Sequence, residues 1–261
     1  MHILQVTDCH LLSDPGAEIH GTDTYKSLRA ILRAAKALTQ PPALVLATGD
    51  LSENGSPGSY TRLRELFLES RLPVHVIAGN HDSAPGMRRF LVGGPIVMEP
   101  YVDIAPWRIV FLDSTVAGEP HGYVAASELT RLAETLAADR QRPVLVCLHH
   151  SPTRPCPTPG CHLQNEDELI DVLDAHANAR AVLAGHSHLM LERRIKHAAL
   201  LTTPATSSQC AHAQLGEPVD HEDFWASHEF DAGRHGFRMM TLHPDGQFDT
   251  EVHWVRHEDA V

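Results

Sequence analysis

The stretch Val74-His75-Val76-Ile77-Ala78-Gly79-Asn80-His81-Asp82 decides how this chain is read: an apolar, β-branched-rich run stops at a glycine and gives way to an amide, an imidazole and a carboxylate. A run of this kind is the pattern of a strand buried on both faces. Its polar stop sets chemistry-bearing side chains on a rim. Ile3 to Thr7 likewise leads into Asp8-Cys9-His10, Ala43 to Thr48 into Gly49-Asp50, Val144 to Leu148 into His149-His150, and Ala181 to Ala184 into Gly185-His186-Ser187-His188. Arg108 to Asp113 is a further run with strand character. Strand ends of this composition predict one shared rim.

Between the strands lie helical patterns. Tyr25, Leu28, Ile31, Leu32, Ala35 and Leu38 form one apolar stripe at spacings of three and four, and Leu129, Leu132 and Leu136 form another. Pro57 opens a third helix carrying Tyr60, Leu63, Leu66 and Phe67, since proline is tolerated in a first helical turn. The alternation predicts an α/β fold whose catalytic groups gather on loops beyond the strand ends. The last third reads differently. Met190 to Thr203 and Gly236 to Trp254 are strand-like, with His243-Pro244-Asp245-Gly246 as a turn, which predicts antiparallel hairpins and a second sheet packed on the first. Ala211 to Arg234, polar, acidic and rich in His and Gly, reads as a long loop. No repeat or linker divides the chain, so the expectation is one domain over 1–261, with 190–261 contributing mainly to the second sheet.

The chain has 261 residues, 43% hydrophobic and 21% charged, and no apolar run of the roughly 18 residues needed to span a bilayer. Its formal charge of −12 would repel a nucleic-acid polymer. Small anionic substrates stay open, because bound cations can invert the local field. Five cysteines in a chain of this size suit reduced thiols, and the start lacks the pattern of an export signal, so a cytoplasmic location is expected.

In extended chain Asp8 and His10 project to the same side, and so do His186 and His188, so each pair can grip one site. The donors are imidazole nitrogens with carboxylate and amide oxygens and no thiolate. That set suits manganese, iron or zinc better than magnesium or calcium. The ligands exceed the need of one ion. A bridging Asp50 shared by two ions, about 3.5 to 4 Å apart as in two-metal hydrolytic sites, accounts for the excess.

Taken together, D-x-H, G-D, G-N-H-D, H and G-H-x-H, spanning Asp8 to His188, resemble the signature of the calcineurin-like metallophosphoesterases. The resemblance implies a four-layer α-β-β-α sandwich of two mixed sheets flanked by helices. It implies that Asp8, His10, Asp50 and His188 hold one ion and that Asp50, Asn80, His149 and His186 hold the other, His149 being preferred to His150 as closer to the strand. Two cations lower the pKa of the water between them, giving a hydroxide nucleophile at neutral pH, and neutralise phosphate oxygens. His81 would then protonate the leaving oxygen or stabilise charge on the phosphorus. Asp82 would orient it or cap a helix.

Leu11-Leu12, Gly21 to Tyr25, Met87, Leu112-Asp113-Ser114 with His121-Gly122, Thr203 to Thr206, Gly236-Phe237-Arg238 and Leu242 to Gly246 are similar to bacterial class III cyclic-nucleotide phosphodiesterases. That implies hydrolysis of 3',5'-cyclic AMP to 5'-AMP, with the 3' oxygen leaving. Glycerophosphodiesterase and broad phosphodiesterase or phosphomonoesterase activities are the alternatives within the class, and a non-catalytic binding module is the alternative outside it. Asn80, His81 and His150 are candidate substrate contacts, with His20 and Asn54. Cys156, Cys161 and His162 could suggest zinc, although a stiff proline-rich loop is the simpler reading. A second copy could pair along the C-terminal hairpin, so a homodimer is allowed.

Overall fold

A computed structural model describes residues 1–152, 161–210 and 230–256. Two six-stranded mixed sheets carry the fold. The first runs β14 (Phe248–Arg256), β13 (Arg234–Leu242), β1 (His2–Val6), β2 (Leu44–Thr48), β3 (Val74–Ile77), β4 (Ile96–Val97). The second runs β5 (Tyr101–Ile104), β6 (Trp107–Phe111), β7 (Val144–Cys147), β8 (Ala179–Ala184), β10 (Ala198–Thr202), β9 (Leu191–Ile195). Two short strands, β11 (Gln209–Cys210) and β12 (Phe230–Asp231), pair separately.

The near-continuous apolar runs have a direct physical cause, because alternate residues of one strand enter different cores. Leu4 and Val6 of β1 pack towards α1 (Thr24–Ala37) and α2 (Pro57–Ser70), while Ile3 joins the layer between the sheets. Val144 and Val146 of β7 pack towards α4 (Ala126–Ala138) and α5 (Glu166–Asp174), while Leu145 and Cys147 face the layer between the sheets. The result is the four-layer sandwich, with one core under each helical layer and one between the sheets. Asp23 and Ser56 cap α1 and α2 through side-chain oxygens, and Pro57 occupies the first turn of α2. A short helix, α3 (Ala84–Gly86), leads into a wider turn over Met87–Leu91.

Two expectations need correction. Residues 190–261 do not go mainly to the second sheet: β9 and β10 extend it, but β13 and β14 join the first sheet beside β1, in a register that pairs Ile3 with Met240 and Gln5 with Arg238. The early strands also divide, β1 to β3 lying in the first sheet and β6 to β8 in the second. A continuous apolar run reports that both faces of a strand are buried, not which sheet it joins. The loop expected at 211–234 lies outside the described residues up to position 229.

Candidate metal centre

The carboxyl ends of β1, β2 and β3 from one sheet meet those of β7 and β8 from the other, a crevice of the kind in which open α/β sheets bind ligands. Backbone bonds stitch the rim together: Asp8 donates to the Gly49 carbonyl, His10 to the Asp50 carbonyl and Gly185 to the His149 carbonyl. The rim residues are not extended. Asp8, His10, Asp50, His186 and His188 all have left-handed φ values between 48° and 67°. Such backbone costs about 1 to 3 kcal/mol per residue and persists where the surroundings enforce it. Here Ser207 donates through both its amide and its hydroxyl to the Asp8 carbonyl, and the His186 amide donates to the Asp8 carboxylate at 3.0 and 3.1 Å. A Cβ at Gly79 would overlap the Asp50 side chain, and one at Gly49 would overlap the His149 ring. The glycines of the motifs are therefore packing requirements of the centre.

Side-chain atoms converge from both sheets. His188 Nε2 lies 3.2 Å from His10 Nε2 and 3.5 Å from Asp8 Oδ1. His149 Nε2 lies 3.2 Å from Asp50 Oδ2 and 4.0 Å from Asp8 Oδ1, and His10 Nε2 is 3.8 Å from Asp50 Oδ2. Three of these imidazoles are aimed from behind. His149 Nδ1 donates to the Thr48 carbonyl at 2.9 Å, His188 Nδ1 to the Ser208 carbonyl at 2.7 Å, and His10 Nδ1 to Glu53 Oε2 at 2.7 Å. Each bond commits Nδ1 and leaves Nε2 for the centre, the usual outer support of a metal-binding histidine. His186 and His188 do not share a site, although two residues apart: His188 groups with Asp8 and His10, and His186 with His149 and His150. The left-handed turns, not an extended chain, decide where each ring points.

Electrostatics follow from burial and pairing. Burial pushes Asp50 up, but His149 beside it outweighs that and holds the carboxyl well below its usual range. His149, drawn down by burial, is raised to about 9 by Asp50. Burial likewise opposes His188, yet Asp8 keeps it above its ordinary value. Buried polar atoms of the cluster, among them Asn80 Oδ1, His186 Nδ1, His149 Nε2 and His150 Nε2, have no hydrogen-bond partner, an arrangement costing about 1 to 3 kcal/mol per atom unless a ligand satisfies it. With carboxylates and imidazole nitrogens converging beside them, the donor set fits a pair of first-row cations.

His81 lines the adjoining cleft, a cavity of about 330 Å³. Its Nδ1 donates to the Glu53 carbonyl at 2.9 Å. Burial lowers its basicity, but the Asp50 and Glu53 carboxylates overcome this and raise its pKa. Glu53 is the residue that the sequence reading missed. It touches His10 and lies 3.7 Å from His81, and its only linear signal is its place three residues after Asp50.

Other candidates are placed differently. Asp82 neither orients His81 nor caps a helix; its carboxylate accepts from the amides of Leu51, Ser52 and Gly79 and from the Tyr60 hydroxyl, while Ser83 caps α3. Asn54 is exposed and accepts from the Ser56 amide, away from the cleft lining. His150 is fully buried behind His149 and His186, hydrogen-bonded to Ser114, and burial drives its pKa well below the usual imidazole value. It does not line the cleft, whereas His20 does. Cys9 turns into the helix-side core, where burial raises its thiol pKa. Of the suggested zinc trio, Cys156 lies outside the described residues, and Cys161 lines the cleft. Among the described residues no helix is long and apolar enough to cross a membrane.

The family model for calcineurin-like phosphoesterase matches residues 1–190. The chain is 34% identical to the 3',5'-cyclic adenosine monophosphate phosphodiesterase CpdA of Pseudomonas aeruginosa, covering 99% of this chain and 91% of that protein. It is also 34% identical to the protein of that name from Haemophilus influenzae, covering 96% and 88%. Among solved structures, a dimetal phosphatase from Danio rerio shares the fold, with a TM-score of 0.65 and 15% identity over 98% of this chain and 99% of the other.

Proposed function

The chain belongs to the calcineurin-like phosphoesterase family, and from that premise we propose that it is a metal-dependent phosphodiesterase hydrolysing 3',5'-cyclic AMP to 5'-AMP. The observation that carries the reading is the convergence of Asp8, His10, Asp50, His149 and His188 from two sheets beside the unsatisfied Asn80 Oδ1 and His186 Nδ1. In this proposal Asp8, His10, Asp50 and His188 hold one cation and Asp50, Asn80, His149 and His186 the other, iron or manganese foremost, with zinc also compatible with these donors. When bound, the cations supply Lewis acidity and a strong nucleophile at neutral pH.

The remaining work falls to side chains. His81 Nδ1 is committed to the Glu53 carbonyl, which leaves Nε2 as the atom that faces a substrate. The doubly protonated ring, favoured by the Asp50 carboxylate and then by Glu53, gives its Nε2 proton to the departing 3' oxygen. Thr48, Ser208 and Glu53 hold the imidazoles so that no ring must reorient during the reaction. Asp82 ties the loop of Asp50 to the loop of Asn80 and His81, keeping acid and ligands in register.

The test is chromatographic. Protein reconstituted with manganese or iron should convert cyclic AMP to 5'-AMP. Vigorous turnover of glycerophosphodiesters with none of cyclic AMP would overturn the assignment.

A further inference from the structure

We propose that the stacked rings of His20 and Phe230 form the platform against which a purine base packs, a specificity site that rests on the phosphodiesterase reading above. The two rings lie 3.6 Å apart and within 9° of parallel. Both line the cleft that also holds His81, Asn80, His186 and His188. The cleft thus holds two chemically distinct groups of side chains: the metal-ligand cluster with His81, suited to a phosphate, and the stacked rings together with the apolar Ile19 and Pro120. Flat, sequence-tolerant aromatic surfaces are what nucleobases stack on.

The chain holds His20 in place by an uncommon backbone. Ile19 and Thr22 exchange both amide-to-carbonyl bonds, at 3.0 and 2.9 Å, around His20 and Gly21, whose φ values are 48° and 79°. Two successive positive φ values in a two-residue loop define a type I′ turn, whose positions suit glycine and, among side-chain residues, Asn, Asp and His. The turn fixes where the ring leaves the backbone, and from there His20 lines the cleft. The turn is tied to the metal-ligand loop, because Thr24 just beyond it donates its hydroxyl to the His10 carbonyl at 3.2 Å. Burial keeps His20 less basic than usual, which favours the neutral ring that stacks on a neutral base. Strand β12 delivers Phe230 to the His20 ring through its pairing with β11.

The test uses the manganese-loaded enzyme and three variants. His20→Asn removes the ring yet suits the I′ turn, Phe230→Leu removes the other ring, and Phe230→Tyr retains one. His20→Asn and Phe230→Leu should each raise KM for cyclic AMP about tenfold, in the range of one base–aromatic stack, with kcat held within about twofold. Binding of 5'-AMP should weaken by the same factor and that of ribose 5-phosphate should not change, while Phe230→Tyr should behave as the parent. Equal weakening of 5'-AMP and ribose 5-phosphate, or no weakening of either, would overturn the platform. A parent enzyme that opens no cyclic nucleotide would overturn the phosphodiesterase reading instead, since the two binding measurements need no turnover.

Discussion

His149 and Asp50 come from different sheets, yet His149 Nε2 lies 3.2 Å from Asp50 Oδ2 with both side chains removed from solvent. Without metal the Asp50 carboxylate beside it raises the His149 pKa to about 9, above the ordinary 6.5, which favours an imidazolium paired with a carboxylate. A raised histidine pKa stabilises the fold fully below pH 6.5, and that contribution disappears as pH rises through about 9. Thermal melts of chelator-treated protein should therefore show a falling Tm from pH 6.5 to 9. Metal needs the neutral ring, so titrating metal at pH 7 in buffers of different ionisation enthalpy should show proton release. Absence of both effects would show that the pair is uncharged.

Glu53 supports two imidazoles at once, His10 at 2.7 Å and His81 at 3.7 Å. Glu53→Gln should lower metal affinity by about 10- to 100-fold in a chelator competition, the usual cost of losing an outer partner of a ligand. Asn54→Ala, one residue away and outside the cleft, should leave affinity at the parent value.

If His81 acts as the acid and not as a ligand, its loss is separable from loss of metal. His81→Ala should retain the full metal content by elemental analysis while kcat for cyclic AMP falls about 10²- to 10⁴-fold, the range of a lost general acid. With a p-nitrophenyl phosphodiester, whose leaving group needs no proton, the loss should shrink. Asn80→Ala should lose metal as well as activity.

Leu145 sits at 0% exposure in the layer between the sheets, which both sheets need. Leu145→Ala should destabilise by about 2 to 5 kcal/mol in denaturant unfolding. Leu68→Ala on the exposed face of α2 should change stability by less than about 0.5 kcal/mol.

His75 lies in β3 against Phe111 of the other sheet, rings stacked at 5.1 Å, with its Nδ1 unpartnered. Burial lowers its pKa below 6.5, so the unfolded chain binds a proton more readily than the folded one. Stability from this group is present above pH 6.5 and lost as pH falls below it. His75→Phe should flatten the Tm profile between pH 6.5 and 5, and an unchanged slope would assign the acid sensitivity elsewhere.

The strands β1 to β3, β6 to β10, β13 and β14, the three longer helices and the rim residues could be read from the chain alone because each is a local fact, an apolar run, a three-four spacing or a polar stop, whereas the short strands β4, β5, β11 and β12 carry no apolar run long enough to show one. Helix α5 escaped, being nine residues long with only Leu169 and Leu173 as its buried stripe. Glu53 escaped because a carboxylate near a histidine in space carries no mark in linear sequence.

By itself the amino-acid order determined that buried strands end in Asp, Asn and His, since burial on both faces forces apolar runs and any polar stop onto a rim. Only the folded chain decided which strands share a sheet, that β13 returns to pair with β1, and that His186 and His188 face different partners. Those outcomes depend on long-range pairing and on left-handed turns enforced by distant residues such as Ser207, and side-chain period along a strand contains neither.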